Sequence, residues 1–204
     1  MNDGRALPLR TLAAAYDRSA ADYDERFRAL QREKYRAGLS LLLPWMLEPG
    51  SPLANKAGTP WLLDAGAGTG LFAEWLRAEG EPHVNARALL LRPLEAARCV
   101  ALDASHAMVQ KSRARGCLPL VADLAAPPLR DHGFALVVAF TAVLDRVPSG
   151  LAALGSAVQP GGALLVTFLA GESPTSEQVA AATGLRYRGG ARAGQDRLHL
   201  LVRA

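Results

Sequence analysis

Trp61-Leu62-Leu63-Asp64-Ala65-Gly66-Ala67-Gly68-Thr69-Gly70 is the stretch on which the fold turns. Trp61 to Leu63 reads as a short buried strand. Gly66, Gly68 and Gly70 follow at every second position, and Leu71 to Ala78 then reads as a helix. Glycines in such a turn permit positive φ and let the backbone approach a ligand closely. Strand, glycine turn and helix make the first unit of an alternating β/α chain.

Downstream the alternation repeats. Cys99 to Leu102 reads as strand two, Ala107 to Arg115 as a helix closed by Gly116, and Leu118 to Val121 as strand three. Phe134 to Phe140 is a continuous apolar run, as in a central strand buried on both faces. Leu151 to Val158 reads as a helix stopped by Pro160-Gly161-Gly162, Ala163 to Leu169 as a fifth strand, and Ser176 to Ala182 as a short helix. Leu185 to Arg188 and Leu198 to Val202 close the chain as an antiparallel pair. This pattern predicts an α/β fold: a doubly wound, mostly parallel, seven-stranded sheet with helices on both faces. Such sheets bind ligands at the carboxyl ends of their strands, where strand order reverses. Residues 79–98 break the rhythm and read as an insertion, with short helices around Ala86 to Leu91 and Leu94 to Ala97.

Upstream, Leu12 to Leu43 reads as helical, because Tyr16, Tyr23, Phe27, Leu30, Tyr35 and Leu39 recur at roughly helical spacing. The pattern breaks near Asp22 to Asp24. Pro44, Pro49, Gly50, Pro52 and Gly58 mark a loop before the first strand.

Composition bounds the protein more loosely. Half of the 204 residues are hydrophobic and 21% are charged, which supplies a substantial core and excludes wholesale disorder. The net charge is +4, carried almost entirely by arginine, since Lys34, Lys56 and Lys111 are the only lysines. Genome base composition accounts for this bias as readily as an anionic partner such as RNA does. Cys99 and Cys117 form no CxxC pair and no Cys/His cluster, so no metal site is expected. Charges from Asp3 onward interrupt any signal-peptide core, and no apolar run reaches bilayer length. A cytoplasmic protein without a membrane partner is the expectation.

The acids beside the glycines discriminate between ligands. Asp64 ends the first strand next to the loop. A dinucleotide would place a pyrophosphate there, and a neighbouring carboxylate repels it. The G-x-G-x-G spacing also departs from the dinucleotide pattern G-x-G-x-x-G, and no G-K-[ST] follows as in a P-loop. S-adenosylmethionine has no phosphate and carries two positive groups, so an acid beside it is favourable. Asp103 ends strand two, where a carboxylate accepts from both ribose hydroxyls; the alternative is a helix N-cap, a role Ser105 also fits. Asp123 after strand three can accept from an adenine amino group while Leu124 packs on the ring; the alternative is a turn acid before Pro127.

In this order, Leu63-Asp64-Ala-Gly-Ala-Gly-Thr-Gly70, Leu102-Asp103-Ala-Ser-His-Ala-Met108, Val121-Ala-Asp123-Leu124, Phe134 to Val138 and Val158-Gln-Pro-Gly-Gly-Ala-Leu-Leu165 resemble the class I S-adenosylmethionine-dependent methyltransferase superfamily, including its small-molecule, tRNA-type and archaeal members. The resemblance covers about Trp61 to Leu169. It implies S-adenosyl-L-methionine as cofactor and transfer of its methyl group by in-line displacement to a small molecule, tRNA or protein. It implies that Asp64, Gly66, Gly68 and Gly70 hold the methionine part, that Asp103 and Ala104 meet the ribose, and that Met108, Asp123 and Leu124 surround the adenine. Phe140 would lie near the sulfonium. Tyr16-Asp17-Arg18-Ser19-Ala20-Ala21-Asp22-Tyr23-Asp24 resembles the leading helix of such enzymes, which folds over the cofactor with its tyrosines inward. The chain then divides into an N-terminal helical lid over 1–58 and a cofactor-binding core over 59–204. Asp64 and Asp103 lie farther apart than is usual in the family, because of residues 79–98. Some relatives pair with a small zinc-ribbon activator subunit.

The acceptor is not legible. The Asn/Asp-Pro-Pro-aromatic motif of amide and exocyclic-amine methylation is absent after strand four, where the chain reads Phe140-Thr141-Ala142-Val143-Leu144-Asp145-Arg146. Asp145 is the candidate base, a solvated helix-start acid being the alternative. His106 could line the cleft; His132 and His199 have no partner pattern. Arg186 to Arg203 holds five arginines against Asp196 alone and reads as a solvated edge hairpin or an RNA-contacting edge. A non-catalytic S-adenosylmethionine-binding scaffold and an NAD-type oxidoreductase are the competing functions.

Overall fold

The computed structural model describes residues 9–54, 58–80, 92–94, 96–142, 147–169, 171 and 173–204. Two N-terminal helices, α1 (Leu9–Ser19) and α2 (Tyr23–Met46), precede the sheet. The core then runs β1 (Trp61–Ala65), α3 (Leu71–Gly80), β2 (Arg98–Asp103), α4 (His106–Ala114), β3 (Leu118–Val121), β4 (Phe134–Phe140), α5 (Val147–Ala157), β5 (Val158–Leu169), α6 (Ser176–Thr183), β6 (Arg186–Ala193) and β7 (Asp196–Val202).

The seven strands form one sheet in the order β3-β2-β1-β4-β5-β7-β6. All pairings from β3 to β5 are parallel, and β7 pairs antiparallel with both β5 and β6. The doubly wound sheet read from the sequence is therefore present, with its closing antiparallel pair. Chain order reverses at β1, which lies between β2 and β4, so the carboxyl end of β1 is the position where doubly wound sheets bind ligands.

Alternation along each strand divides the core into two layers. Leu62, Ala101, Leu136, Val138, Leu165 and Leu198 face α2 and α3, where Tyr35, Leu39, Leu42, Phe72 and Trp75 cover them. Leu63, Leu102, Val137, Leu164, Val166 and Leu201 face the other way, under Leu151 and Leu154 of α5 and Val179 of α6. Every residue of β4 is buried. Leu136 is fully enclosed, so Leu136→Ala costs about 2–5 kcal/mol of unfolding free energy in a denaturant titration. A smaller loss would mean that the β4 layer repacks.

Some element ends and buried positions differ from the sequence reading. Pro44 lies in the last turn of α2 and does not open the loop; Trp45 and Met46 carry the buried face onward, and the Trp45 indole donates to the Gly161 carbonyl at 3.1 Å. Leu30 is 45% exposed, and Gln31 and Lys34 take the buried positions of α2 instead. Pro160-Gly161-Gly162 belongs to β5 rather than to a helix stop. Gly161 N–H donates to Arg203 O, and Arg203 N–H to Gly162 O, while the β4–β5 register shifts between Phe134 and Leu136. Proline is tolerated at such an irregularity because it has no N–H to leave unpaired. Finally, α5 begins at Val147, four residues earlier than expected. The short helix expected around Ala86 to Leu91 lies outside the described residues, whereas Arg92–Leu94 does form a helical turn. No helix among the described residues is long and apolar enough to cross a membrane.

Candidate functional site

The glycine loop leaves β1 through Asp64 and Ala65. Gly66 and Ala67 N–H both donate to the Leu102 carbonyl, at 2.7 and 2.9 Å, which ties the loop to the end of β2. Gly66, Gly68 and Gly70 all have positive φ, at 71°, 51° and 82°. A Cβ on Gly66 would stand 2.1 Å from the Ala142 Cβ and 3.8 Å from Leu124 Cδ1. Gly66 thus faces the turn after β4 and the loop after β3 at once. A Cβ on Gly68 would stand 3.7 Å from the Tyr23 ring, so α2 begins directly over the loop.

Asp103 braces the same loop. One carboxylate oxygen accepts from Gly68 N–H and the other from Ser105 N–H, both at 2.9 Å. Burial raises its carboxyl above the usual range, against the lowering effect of those backbone donors. Ser105, not Asp103, is the N-cap of α4, its hydroxyl accepting from Met108 N–H at 3.2 Å. Asp103 is therefore a loop brace rather than the helix cap.

Asp64 is 3% exposed, and its Oδ2 has no hydrogen-bond partner among the described residues. Burial pushes its carboxyl well above the usual carboxylate range, and the neighbouring Cys117 and Asp103 add to that rise. A buried acceptor without a donor suits a ligand that brings donors and positive charge, and repels a phosphate. The three glycines of the turn, all at positive φ, present bare backbone beside Asp64. The residues present therefore fit S-adenosylmethionine.

The raised Asp64 carboxyl has a thermodynamic consequence. The folded state retains a proton that the unfolded chain, titrating near pH 4, gives up. Stability contributed by this group is full below that pH and is lost as pH rises toward the folded value. Relative to Asp64→Asn, the unfolding free energy of the wild type without ligand should fall as pH rises above about 4, by up to about 1.4 kcal/mol per pH unit. Thermal unfolding of both proteins across that range tests it; a difference that stays constant with pH contradicts it.

The N-terminal helices are fastened over this site. In α1, one oxygen of Asp17 accepts from the Ser105 hydroxyl at 2.5 Å and from Ala107 N–H at 3.0 Å. Lys111 of α4 donates to the carbonyls of Ala20 and Ala21. In α2, Asp24 accepts from the Thr69 hydroxyl at 2.5 Å and pairs with Arg115, which also pairs with Glu74 and donates to Thr69 O at 2.5 Å. Burial opposes ionisation of Asp24, but its bonds to Thr69 and Arg115 outweigh that and hold its carboxyl below the usual range. Tyr16 is 41% exposed and meets the Tyr23 ring edge-on at 6.5 Å. Burial, then the negative charge of Asp103, raises the Tyr16 hydroxyl.

The other expected residues divide. Asp123 Oδ1 accepts from Ala125 N–H at 2.9 Å, as a turn acid does, while Leu124 lies half-buried beside Gly66. Ala104 is half-buried between Asp103 and Ser105. Met108 is 1% exposed and belongs to the interior. Phe140 packs edge-on against Tyr35 at 4.8 Å and beside Phe72 at 5.1 Å, beneath α2. Asp145 lies outside the described residues. His106 is exposed, His132 lies 3.1 Å from Val158 O, and His199 is buried against Phe168 and Ser173. Cys99 and Cys117 are buried and free. Among the described residues no cluster could hold a metal ion. Asp17, Asp24, Arg115 and the buried pair Lys34–Asp196 were not read as site residues from the sequence.

Solved structures share this fold. A methyltransferase of Haloferax volcanii in complex with the Trm112 methyltransferase activator superposes with a TM-score of 0.65 at 18% identity, covering 92% of this chain and 96% of that one. Magnesium protoporphyrin IX methyltransferase from Synechocystis PCC 6803 with bound SAH gives 0.64 at 12% identity, over 96% and 99% of the two chains. Among curated proteins, malonyl-[acyl-carrier protein] O-methyltransferase of Serratia marcescens is 30% identical over 170 residues, or 80% of this chain. Its counterpart from Hamiltonella defensa is 27% identical over 163 residues. The chain spans about half the length of these curated relatives, 54% and 52%. The methyltransferase domain family itself matches residues 63–166, just over half of the chain. That span runs from the middle of β1 into β5, and on this ground the chain belongs to the methyltransferase domain family, within the class I S-adenosylmethionine-dependent methyltransferase superfamily.

Proposed function

We propose that this chain moves the methyl group of S-adenosylmethionine onto an acceptor held at the carboxyl end of the sheet. The observation that carries the proposal is the buried Asp64 oxygen, without a hydrogen-bond partner among the described residues, beside a turn whose three glycines all have positive φ. When bound, S-adenosylmethionine supplies an electrophilic methyl group on a sulfonium. Asp103 and Ala104 meet the ribose, with Asp103 holding its two hydroxyls, Asp64 and Gly66 to Gly70 hold the methionine part, and Asp123, Leu124 and Met108 surround the adenine. Phe140 supplies apolar surface near the reacting carbon. Helices α1 and α2 serve as a lid: Tyr23 covers the glycine loop with Tyr16 edge-on to its ring, and the pair excludes water, which strengthens every charge interaction beneath them. The protein's contribution is mostly positioning, since displacement at a sulfonium needs no protonation of the leaving group.

The curated relatives support an acceptor carboxylate. An oxygen that is already anionic at neutral pH needs no general base, whereas a hydroxyl would require one, with Asp145 as its candidate. The two free cysteines agree with a reducing compartment such as the cytoplasm. The activator-bound structural neighbour supports a small zinc-ribbon partner. The free edge of β3, with Leu118 and Val121 about half exposed, is a place where such a partner could add a strand. Incubation with a methyl-labelled donor and a malonyl thioester, against fractionated RNA, protein and metabolite pools, tests the proposal. Label in the thioester supports the carboxylate reading, and label elsewhere reassigns the acceptor. No transfer to any pool, with the activator present, would leave a binding scaffold.

A further inference from the structure

One buried charged cluster near the site has no part in holding the donor. Lys34 of α2 and Asp196 at the start of β7 are 5% and 4% exposed, with Nζ 2.5 Å from Oδ2. Both engage the Thr141 hydroxyl: Lys34 donates to it at 2.7 Å, and it donates to Asp196 at 3.0 Å. Its oxygen also lies 3.2 Å from the Thr167 hydroxyl, which accepts from Thr141 N–H at 2.6 Å. A hydroxyl has one proton and two acceptor positions, so Lys34, Asp196 and Thr167 occupy all that Thr141 offers. The four residues come from α2, the turn after β4, β5 and β7.

Thr141 has a φ of 58°, in the left-handed region. A β-branched residue there is strained, and such strain persists only where the surroundings over-determine it. The next residue, Ala142, puts its Cβ against the bare face of Gly66. The dihedral held at Thr141 therefore sets where Ala142 meets the loop. A buried ion pair is a poor source of stability, because desolvation offsets its attraction and an apolar pair of like volume does as well. Its value here is geometric.

We infer that the Lys34–Asp196 pair is a positioning clamp that locks the strained turn at Thr141, sets the cleft wall opposite Gly66 and fastens that wall to α2. The inference rests on the proposed donor cleft and adds two positioning residues that act through Thr141.

The variant K34M/D196N removes the clamp without stranding a buried charge. Calorimetric titration with S-adenosylmethionine and its demethylated product compares it with the wild type and with K34M/D196N/T141G. We expect the double variant to unfold cooperatively and bind roughly tenfold or more weakly, as a displaced wall would cause. Glycine adopts the Thr141 dihedral without a clamp, so adding Thr141→Gly should restore affinity to within about threefold of the wild type. A pair with a merely structural role would lower the melting temperature without this rescue. Binding by the double variant within about threefold of the wild type, or a folded triple variant as weak as the double, overturns the clamp. Should the double variant not fold, Asp196→Glu with and without Thr141→Gly carries the same test, because it displaces the carboxylate and keeps the charge. Wild-type protein that binds neither ligand overturns the donor cleft, and the clamp with it.

Discussion

Asp103→Ala lowers affinity for S-adenosylmethionine by about 30- to 1000-fold, the largest binding effect expected of a single side chain in this protein. Hydrogen bonds to a charged group contribute about 1.5–3 kcal/mol each, and a ribose offers two hydroxyls to one carboxylate. The two contributions are not additive, which sets the loss at about 2–4 kcal/mol. The substitution also deprives the Gly68 N–H of its acceptor and so loosens the loop that carries the methionine part. Asp103→Asn keeps one acceptor oxygen and should fall between wild type and alanine. Calorimetry on all three proteins provides the check, and an alanine variant with unchanged affinity would place the ribose elsewhere.

Gly66→Ala should be nearly as damaging, and to stability as well as to binding. The added Cβ would meet the Ala142 Cβ at 2.1 Å and its Cα at 3.3 Å, so backbone must move to admit it. The φ of 71° adds strain of about 1–2 kcal/mol for any residue with a Cβ, and overpacking adds about 1–3 kcal/mol. In a chain of this length the sum lowers the melting temperature by roughly 5–15 °C. Donor binding should weaken by about tenfold or more even in the folded fraction, because the displaced groups are the cleft walls. Thermal unfolding and calorimetry read the two effects separately. A variant that melts and binds like the wild type would mean that Gly66 does not face the turn after β4.

What the sequence revealed and what it hid follow one physical rule. Asp64 and its three glycines were legible because the turn that serves them is local: strand end, bare backbone and helix start lie within ten residues. Asp103 was legible for the same reason, sitting at the end of an apolar strand. The strand alternation from β1 to β5 was equally plain, because parallel strands bury both faces and so read as unbroken apolar runs. The clamp was not legible. Lys34 and Thr141 are 107 positions apart, and Thr141 and Asp196 are 55 apart, so no window holds the cluster. One signal was available: Lys34 falls on the apolar stripe of α2 in a protein that otherwise uses arginine, and a lone lysine on a buried face needs a partner. Pro160-Gly161-Gly162 was misread because such a run commonly ends an element, while here Arg203 from the last residues of the chain pairs with it. The fastening of α1 through Asp17 was hidden likewise, since its partners Ser105 and Ala107 are about ninety residues away.

The β1 end of the sheet accepts a cationic methyl donor because the buried acid Asp64, which positive charge favours in its ionised form, stands where a dinucleotide would place a phosphate. Parallel calorimetric titrations of the wild-type chain with S-adenosylmethionine and with NAD test it most directly. The expected result is saturable one-site binding of S-adenosylmethionine, weakened by Asp103→Ala, and no heat from NAD. Saturable NAD binding with no response to S-adenosylmethionine would contradict it.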